Sequence, residues 1–209
     1  MPIQVVAISH TDGAGGETIG QIVSERLGFR YVDEEVVARA AEKEGVHPAL
    51  VADAEKRRSL LARLVAGIGR FGVAGAGIGA VTIRQVSELK RSDDFRTLIL
   101  EAIRETAEGG DVVIVAHAAS IVLAGRDDLL RVLVTAPPEA RTLRLADAEG
   151  IDEAEAAKIV RSSDDRRAEY IKRFHGIDQE VPTHYDLVIN TERLSLDKAA
   201  DTVVRAARD

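Results

Sequence analysis

The residues with the most chemical content lie near the N-terminus, in Val5-Val6-Ala7-Ile8-Ser9-His10-Thr11-Asp12-Gly13-Ala14-Gly15-Gly16-Glu17-Thr18-Ile19-Gly20. A β-branched run stops at a glycine-rich turn, and an amphipathic helical pattern follows at once. Such a strand, turn and helix point several backbone N–H groups into one concavity at a helix N-terminus, where the helix dipole also favours negative charge. Phosphate is the anion that suits it. Gly13, Gly15 and Gly16 permit positive φ and close backbone approach, with Ala14 between them. Thr18 offers a hydroxyl that either meets a phosphate or Mg²⁺ or satisfies backbone in the first helical turn. Glu17 suits the helix dipole but repels a phosphate unless a cation intervenes.

The usual phosphate loop reads G-x-x-x-x-G-K-[ST], with the lysine on the β- and γ-phosphates. Superposed on it, His10 takes the first glycine, Gly15 the second, Gly16 the lysine and Thr18 the hydroxyl residue. The cradle is present without its cation, so positive charge must come from elsewhere. Arginine is the available source. In Arg161-Ser162-Ser163-Asp164-Asp165-Arg166-Arg167, residues Arg161, Asp164 and Arg167 share a helix face at i, i+3 spacing, either as a functional face or as a solvated one with internal ion pairs. Arg141 and Arg144 lie one turn apart on an earlier helix. His10 and His117 each follow an apolar strand pattern, and imidazoles there would make anion affinity depend on pH.

The elements that position these residues alternate. Strand patterns occur at Ile3–Ser9, Arg30–Asp33, Val112–His117, Leu130–Thr135 and Leu187–Asn190. Helical patterns cover Glu17–Leu27, Glu34–Lys43, Asp93–Glu108, the stretch after Pro137-Pro138 to about Glu149, Asp152–Arg173 and Leu196–Ala207, several of them ended by glycine. This alternation predicts a parallel sheet covered by helices on both faces, with ligands outside the carboxyl ends of the strands. Residues 9–18, 33–35, 117–120, 136–141 and 190–193 then surround one crevice. Asp33 either faces that crevice or caps the next helix. The segment from His47 to Arg91 breaks the alternation with the basic cluster Lys56-Arg57-Arg58 and six glycines from Gly67 to Gly79. Gly67-x-Gly69-x-x-Gly72 follows a helical pattern rather than a strand, so it does not read as a dinucleotide fingerprint.

The whole chain narrows the classes of function. It has 209 residues, 45% apolar and 30% charged, ordinary for one globular domain. A net charge of −7 and 3% aromatic content argue against nucleic acid as a partner. No cysteine is present, which excludes disulfides, thiolate metal sites and a cysteine nucleophile. No leader pattern and no apolar run long enough for a membrane span are found, so a cytoplasmic location with no membrane partner is expected.

Three blocks carry a family resemblance. They are Ile8 to Gly20 followed by Leu27 to Asp33, then Val112 to Ala119 with Leu130 to Pro137, and Arg161 to Tyr170 with Phe174-His175-Gly176 and Tyr185 to Thr191. Together they resemble the cytidylate kinase-like family of P-loop proteins, whose first block also lacks the lysine. The resemblance implies a three-layer α/β P-loop NTPase fold with a five-stranded parallel sheet, order 2-3-1-4-5, in a single domain over 1–209. Its core would be 1–46, 92–140 and 180–209, with a helical acceptor-side arm at 47–91 and a helical lid at 141–179. It also implies a kinase that moves a phosphoryl group from ATP·Mg²⁺ to a nucleoside monophosphate such as CMP or dCMP, or to a similar small acceptor. The alternative is a catalytically inactive nucleotide-binding module on the same fold.

In the kinase reading Gly13, Ala14, Gly15, Gly16, Glu17, Thr18 and Arg141 hold ATP, and Thr18 also meets Mg²⁺. Arg161, Asp164, Arg166 and Arg167 serve the transfer, while His10, Asp33 and His117 face the acceptor. Relatives usually carry arginine at the positions of His10 and His117. The glycine-rich arm suits packing against a second copy of the chain.

Overall fold

A computed structural model of the chain describes residues 1–33, 93–116 and 119–209. The expected helix at 34–43, the arm at 47–91 and His117 lie outside these residues. Met1–Asp33 and Ile103–Asp209 form one compact unit.

The strands are β1 (Val5–His10), β2 (Arg30–Val32), β3 (Val112–Val115), β4 (Leu129–Thr135) and β5 (Leu187–Asn190). The helices are α1 (Gly16–Leu27), α2 (Asp93–Glu108), α3 (Ala119–Val122), α4 (Pro138–Glu149), α5 (Glu153–His175) and α6 (Leu196–Arg208). All five strands are parallel, in the order β2-β3-β1-β4-β5 expected from the resemblance. β1 is central, with Val5 opposite both Val112 and Leu129, and its first five residues are fully buried. A strand buried on both faces reads as a continuous β-branched run rather than an alternating one.

Helix ends follow local chemistry. α1 stops at Gly28, whose left-handed φ of 73° returns N–H groups to the last turn. Pro138 opens α4, where its missing N–H costs nothing, and Gly150 ends it. Asp152 caps α5 by accepting from the Glu155 N–H at 2.8 Å. The core lies between the sheet and its helices: Ile19 and Val23 of α1 and Ala199, Ala200, Val203 and Val204 of α6 meet Val6, Ile8, Val132 and Val134. Outside it, Arg26 of α1 forks across Asp197 and Asp201 of α6, a partly exposed clamp worth little by itself.

Most element ends shift by one or two residues from expectation, and α3 was not expected at all. β1 continues through His10, because the Thr11 N–H still donates to the Val134 carbonyl at 3.1 Å. The four-residue α3 has too few residues for a helical period to show in sequence.

Candidate active site

The loop between β1 and α1 lies at the carboxyl end of the central strand. Gly13 (φ 79°) and Gly15 (φ 84°) take the left-handed conformation, as expected. Gly16 does not; its small size serves space instead. A Cβ there would lie 2.3 Å from the His10 Cβ and 2.4 Å from its Cγ. His10 is therefore the floor on which the first residue of α1 rests.

No side chain caps α1. Gly15 is its N-cap and brings no hydroxyl or carboxylate, so the first-turn amides lack the usual acceptor. Beside them Glu17 and Thr18 are exposed. This is the geometry that accepts an anion.

The opposite side of the loop is held by guanidinium groups and two hydroxyls. Arg141, with only 3% of its surface exposed, donates to the Ala136 carbonyl at 2.9 Å and the Asp12 carbonyl at 3.2 Å. It also makes a two-pronged ion pair with Asp164, at 2.9 and 2.6 Å. Arg144 donates to the Gly13 carbonyl at 3.4 Å, to the Thr191 hydroxyl at 3.0 Å and to the Thr191 carbonyl. Thr191, at the end of β5, passes its own hydroxyl to the Ala14 carbonyl at 2.9 Å. The Ser163 hydroxyl holds the Asp12 carboxylate at 2.6 Å. In a trans peptide the C=O of one residue and the N–H of the next point in opposite directions. Fixing the Asp12 and Ala14 carbonyls on Arg141 and Thr191 thus turns the Gly13 and Gly15 N–H groups the other way.

A second buried group sits below His10. Arg167 donates from Nε and Nη2 to the two oxygens of Glu180 at 2.7 and 2.8 Å, and from Nη1 to the His10 carbonyl at 3.1 Å. The Tyr185 hydroxyl donates to the same Glu180 carboxylate. Burial works against the charge on Arg167, but the hydrogen bonds and charge of Glu180 outweigh it and keep its pKa above the usual arginine value. Burial, then the hydrogen bond to Glu180 and its charge, push the Tyr185 phenol up to about 12, while a hydrogen bond with Ser9 acts in the opposite sense.

That shift has a testable consequence. Below the ordinary phenol pKa Tyr185 is protonated in both folded and unfolded chains, and its contribution is complete. Between about pH 10 and 12 only the unfolded chain ionises, so stability falls as pH rises, by about 2 kcal/mol from this group. Urea unfolding at about pH 8.5 and 11.5 measures it. Tyr185→Phe is expected to remove this part of the alkaline loss. Tyr31 adds a loss of the same sign, its phenol raised by burial first and then by the charges of Asp33 and Glu17.

The predicted residues are thus distributed in three ways. Gly13–Thr18, Arg141, Asp164, Arg167 and His10 come together around the loop. Arg161 and Arg166 lie on the outer part of α5: Arg161 is exposed, and Arg166 donates to the Ser162 hydroxyl at 2.8 Å. Asp33 follows β2 and accepts from the Tyr31 hydroxyl at 3.4 Å. Any meeting of His10 with His117 lies outside the described residues. Arg161, Asp164 and Arg167 do share a helix, yet the carboxylate of Asp164 goes to α4 and the guanidinium of Arg167 to the segment before β5. Sequence reading gave Glu180, Tyr185 and Thr191 no individual role, although it placed 190–193 at the crevice and Tyr185 to Thr191 within the resemblance; nothing in the spacing marks Glu180.

A glycine loop with an uncapped helix, at the carboxyl end of the central strand of a 2-3-1-4-5 parallel sheet, defines the P-loop kinase fold. Residues 5–193 match the model of the cytidylate kinase-like family, and the chain belongs to that family. Among curated relatives, the cytidylate kinase of Ignicoccus hospitalis is 26% identical over 96% of this chain and 97% of its own length. That of Methanopyrus kandleri is 34% identical over 51% of this chain, and the match spans 58% of that relative's length. Two solved structures share the fold at low identity. An uncharacterized protein from Eubacterium ventriosum superposes with a TM-score of 0.66 at 16% identity, covering 97% of both chains. Shikimate kinase from Bacteroides thetaiotaomicron gives 0.51 at 14% identity, covering 97% of this chain and 96% of its own.

Proposed function

We propose that this chain is a kinase that transfers the γ-phosphoryl group of ATP, bound with Mg²⁺, to a nucleoside monophosphate of the CMP or dCMP type. The observation that carries the reading is the uncapped start of α1 at Gly15, held open by Arg141, Arg144 and Thr191 on the loop carbonyls. Family membership and relatives named cytidylate kinase support this class of acceptor.

The residues divide the work. Gly13, Ala14, Gly15, Gly16, Glu17 and Thr18 would hold the donor phosphates through backbone N–H groups, with Arg141 fixing the loop from behind. Arg161 and Arg166, which have no carboxylate partner among the described residues, would swing to the equatorial oxygens of the transferring group. Loose phosphoryl transfer depends on position and positive charge more than on a general base, and no general base is assigned. Asp164 and Arg167 act on the loop rather than on phosphate in the arrangement described. His10, Asp33 and His117 would line the acceptor side.

Mg²⁺ fits the residues present. The Thr18 hydroxyl is exposed in the first turn, and among the described residues no three His, Asp or Glu side chains gather as a metal cage. A magnesium ion held chiefly by phosphates and water asks for no more. When bound it supplies positive charge at the β- and γ-oxygens. Among the described residues no helix is long and apolar enough to cross a membrane, and a cytoplasmic site of action is part of this proposal.

Coupled ADP release with CMP, dCMP, UMP and AMP, beside calorimetric titration of ATP with and without Mg²⁺, tests the reading. The expected result is turnover with CMP or dCMP well above ATP hydrolysis alone. Arg161→Ala and Arg166→Ala are each expected to lower kcat at least tenfold while leaving the ATP dissociation constant within about threefold, the signature of contacts made in the transition state. Binding without turnover on any acceptor would instead identify a nucleotide-sensing module.

A further inference from the structure

Among the described residues, Arg167 and Glu180 form a buried ion pair that the proposed chemistry does not use directly. Arg167 exposes 7% of its side chain and Glu180 19%, and Tyr185 beside them is 6% exposed. Taking such charges out of water costs several kcal/mol per ion, and an apolar pair of similar volume is often as stable. Stability alone therefore explains this trio poorly.

Its contacts indicate another role. The third donor of Arg167 goes to the His10 carbonyl at 3.1 Å, and the His10 side chain is the floor beneath Gly16. Glu180 engages Nε and Nη2 of Arg167, which leaves Nη1 aimed at that carbonyl. Tyr185 in turn holds Glu180. The line of support runs from Tyr185 and Glu180 through Arg167 and His10 to the first residue of α1.

We infer that Glu180 and Tyr185 are positioning residues: they lock Arg167 onto the His10 carbonyl and so hold the β1–α1 loop in its anion-accepting shape. A bidentate guanidinium has little freedom of direction, unlike a lysine ammonium on a flexible stem. The loop is thereby set before nucleotide arrives, and binding need not order it. This inference rests on the proposed function for its effect on ATP, but its effect on the loop stands separately.

Two measurements test it: hydrogen exchange of the segment 9–18, and calorimetric titration with Mg·ATP. In Glu180→Gln the expected results are at least tenfold faster exchange across 9–18, unchanged exchange in Val132–Thr135, and at least tenfold weaker Mg·ATP binding. Tyr185→Phe should show the same pattern at about a third of the size. The double variant Arg167→Met/Glu180→Leu guards against simple unfolding, because it removes both charges together. It is expected to match the wild type in urea midpoint while keeping the fast loop exchange and the weakened binding. A double variant with wild-type loop exchange, or a folded Glu180→Gln with exchange unchanged, would overturn the inference. If the wild type binds no Mg·ATP, the functional reading fails, and loop exchange alone still decides this one.

Discussion

Replacing Arg141 with alanine is expected to destabilise the chain by about 3 kcal/mol, among the largest effects available outside the apolar core. The guanidinium is almost wholly buried and has four partners: the carbonyls of Ala136 and Asp12 and both oxygens of Asp164. Alanine leaves two carbonyls without a donor and a half-buried carboxylate without its cation, and each orphaned polar group costs about 1–3 kcal/mol. Arg141→Lys keeps the charge but cannot reach a carboxylate with two prongs and two carbonyls at once, so it should recover less than half of the loss. Urea midpoints of the two variants measure this. A wild-type midpoint for Arg141→Ala would mean that the link between α4, α5 and the loop carries no weight.

The second large effect concerns Gly16. Adding one methyl group there places a carbon 2.3 Å from the His10 Cβ, a position fixed by the central strand rather than the free end of a side chain. Either the imidazole and β1 move or the start of α1 does. Overpacking of this kind costs about 1–3 kcal/mol, and it displaces the amides that would meet phosphate. Gly16→Ala is therefore expected to weaken Mg·ATP binding by at least thirtyfold while the chain still folds. Gly28→Ala is the control. It has a left-handed requirement, at φ 73°, that Gly16 lacks, and open space around it, so a modest stability loss from backbone strain with unchanged binding is expected. Equal losses of affinity in both variants would show that the effect is general destabilisation.

These two residues also show what was legible in the sequence. The loop could be read because its signals are local: a β-branched run, glycines at turn spacing and an apolar i, i+4 pattern in α1. The sheet order came from the resemblance, since strand neighbours such as β1 and β4 are separated by more than a hundred residues. Glycine at position 16 was expected for its backbone freedom, whereas the structure gives it a packing role against His10. The arginines were expected to supply the replacement charge; the directions of Arg141 and Arg167 could not be read from sequence. Arg141 meets Asp164 and Arg167 meets Glu180 across turns and helix ends, so no periodicity within one helix registers the pairing. Arg167 reaches the His10 carbonyl from 157 residues away, a contact set by packing alone.

The same contacts explain how a phosphate loop can keep its shape without a lysine. Lysine supplies charge from within the cradle; here guanidinium groups stand behind the backbone and orient its dipoles, and in the proposed reaction the exposed Arg161 and the half-buried Arg166 would serve the nucleotide. The central claim is that the amides from Gly15 to Thr18 take the donor phosphates. The most direct measurement is a titration of ¹⁵N-labelled protein with Mg·ATP, read at assigned backbone amides. The account predicts that the largest shifts fall on Gly15, Gly16, Glu17 and Thr18, with Gly28 and Gly150 unmoved. Saturable binding with those four amides unmoved would contradict it.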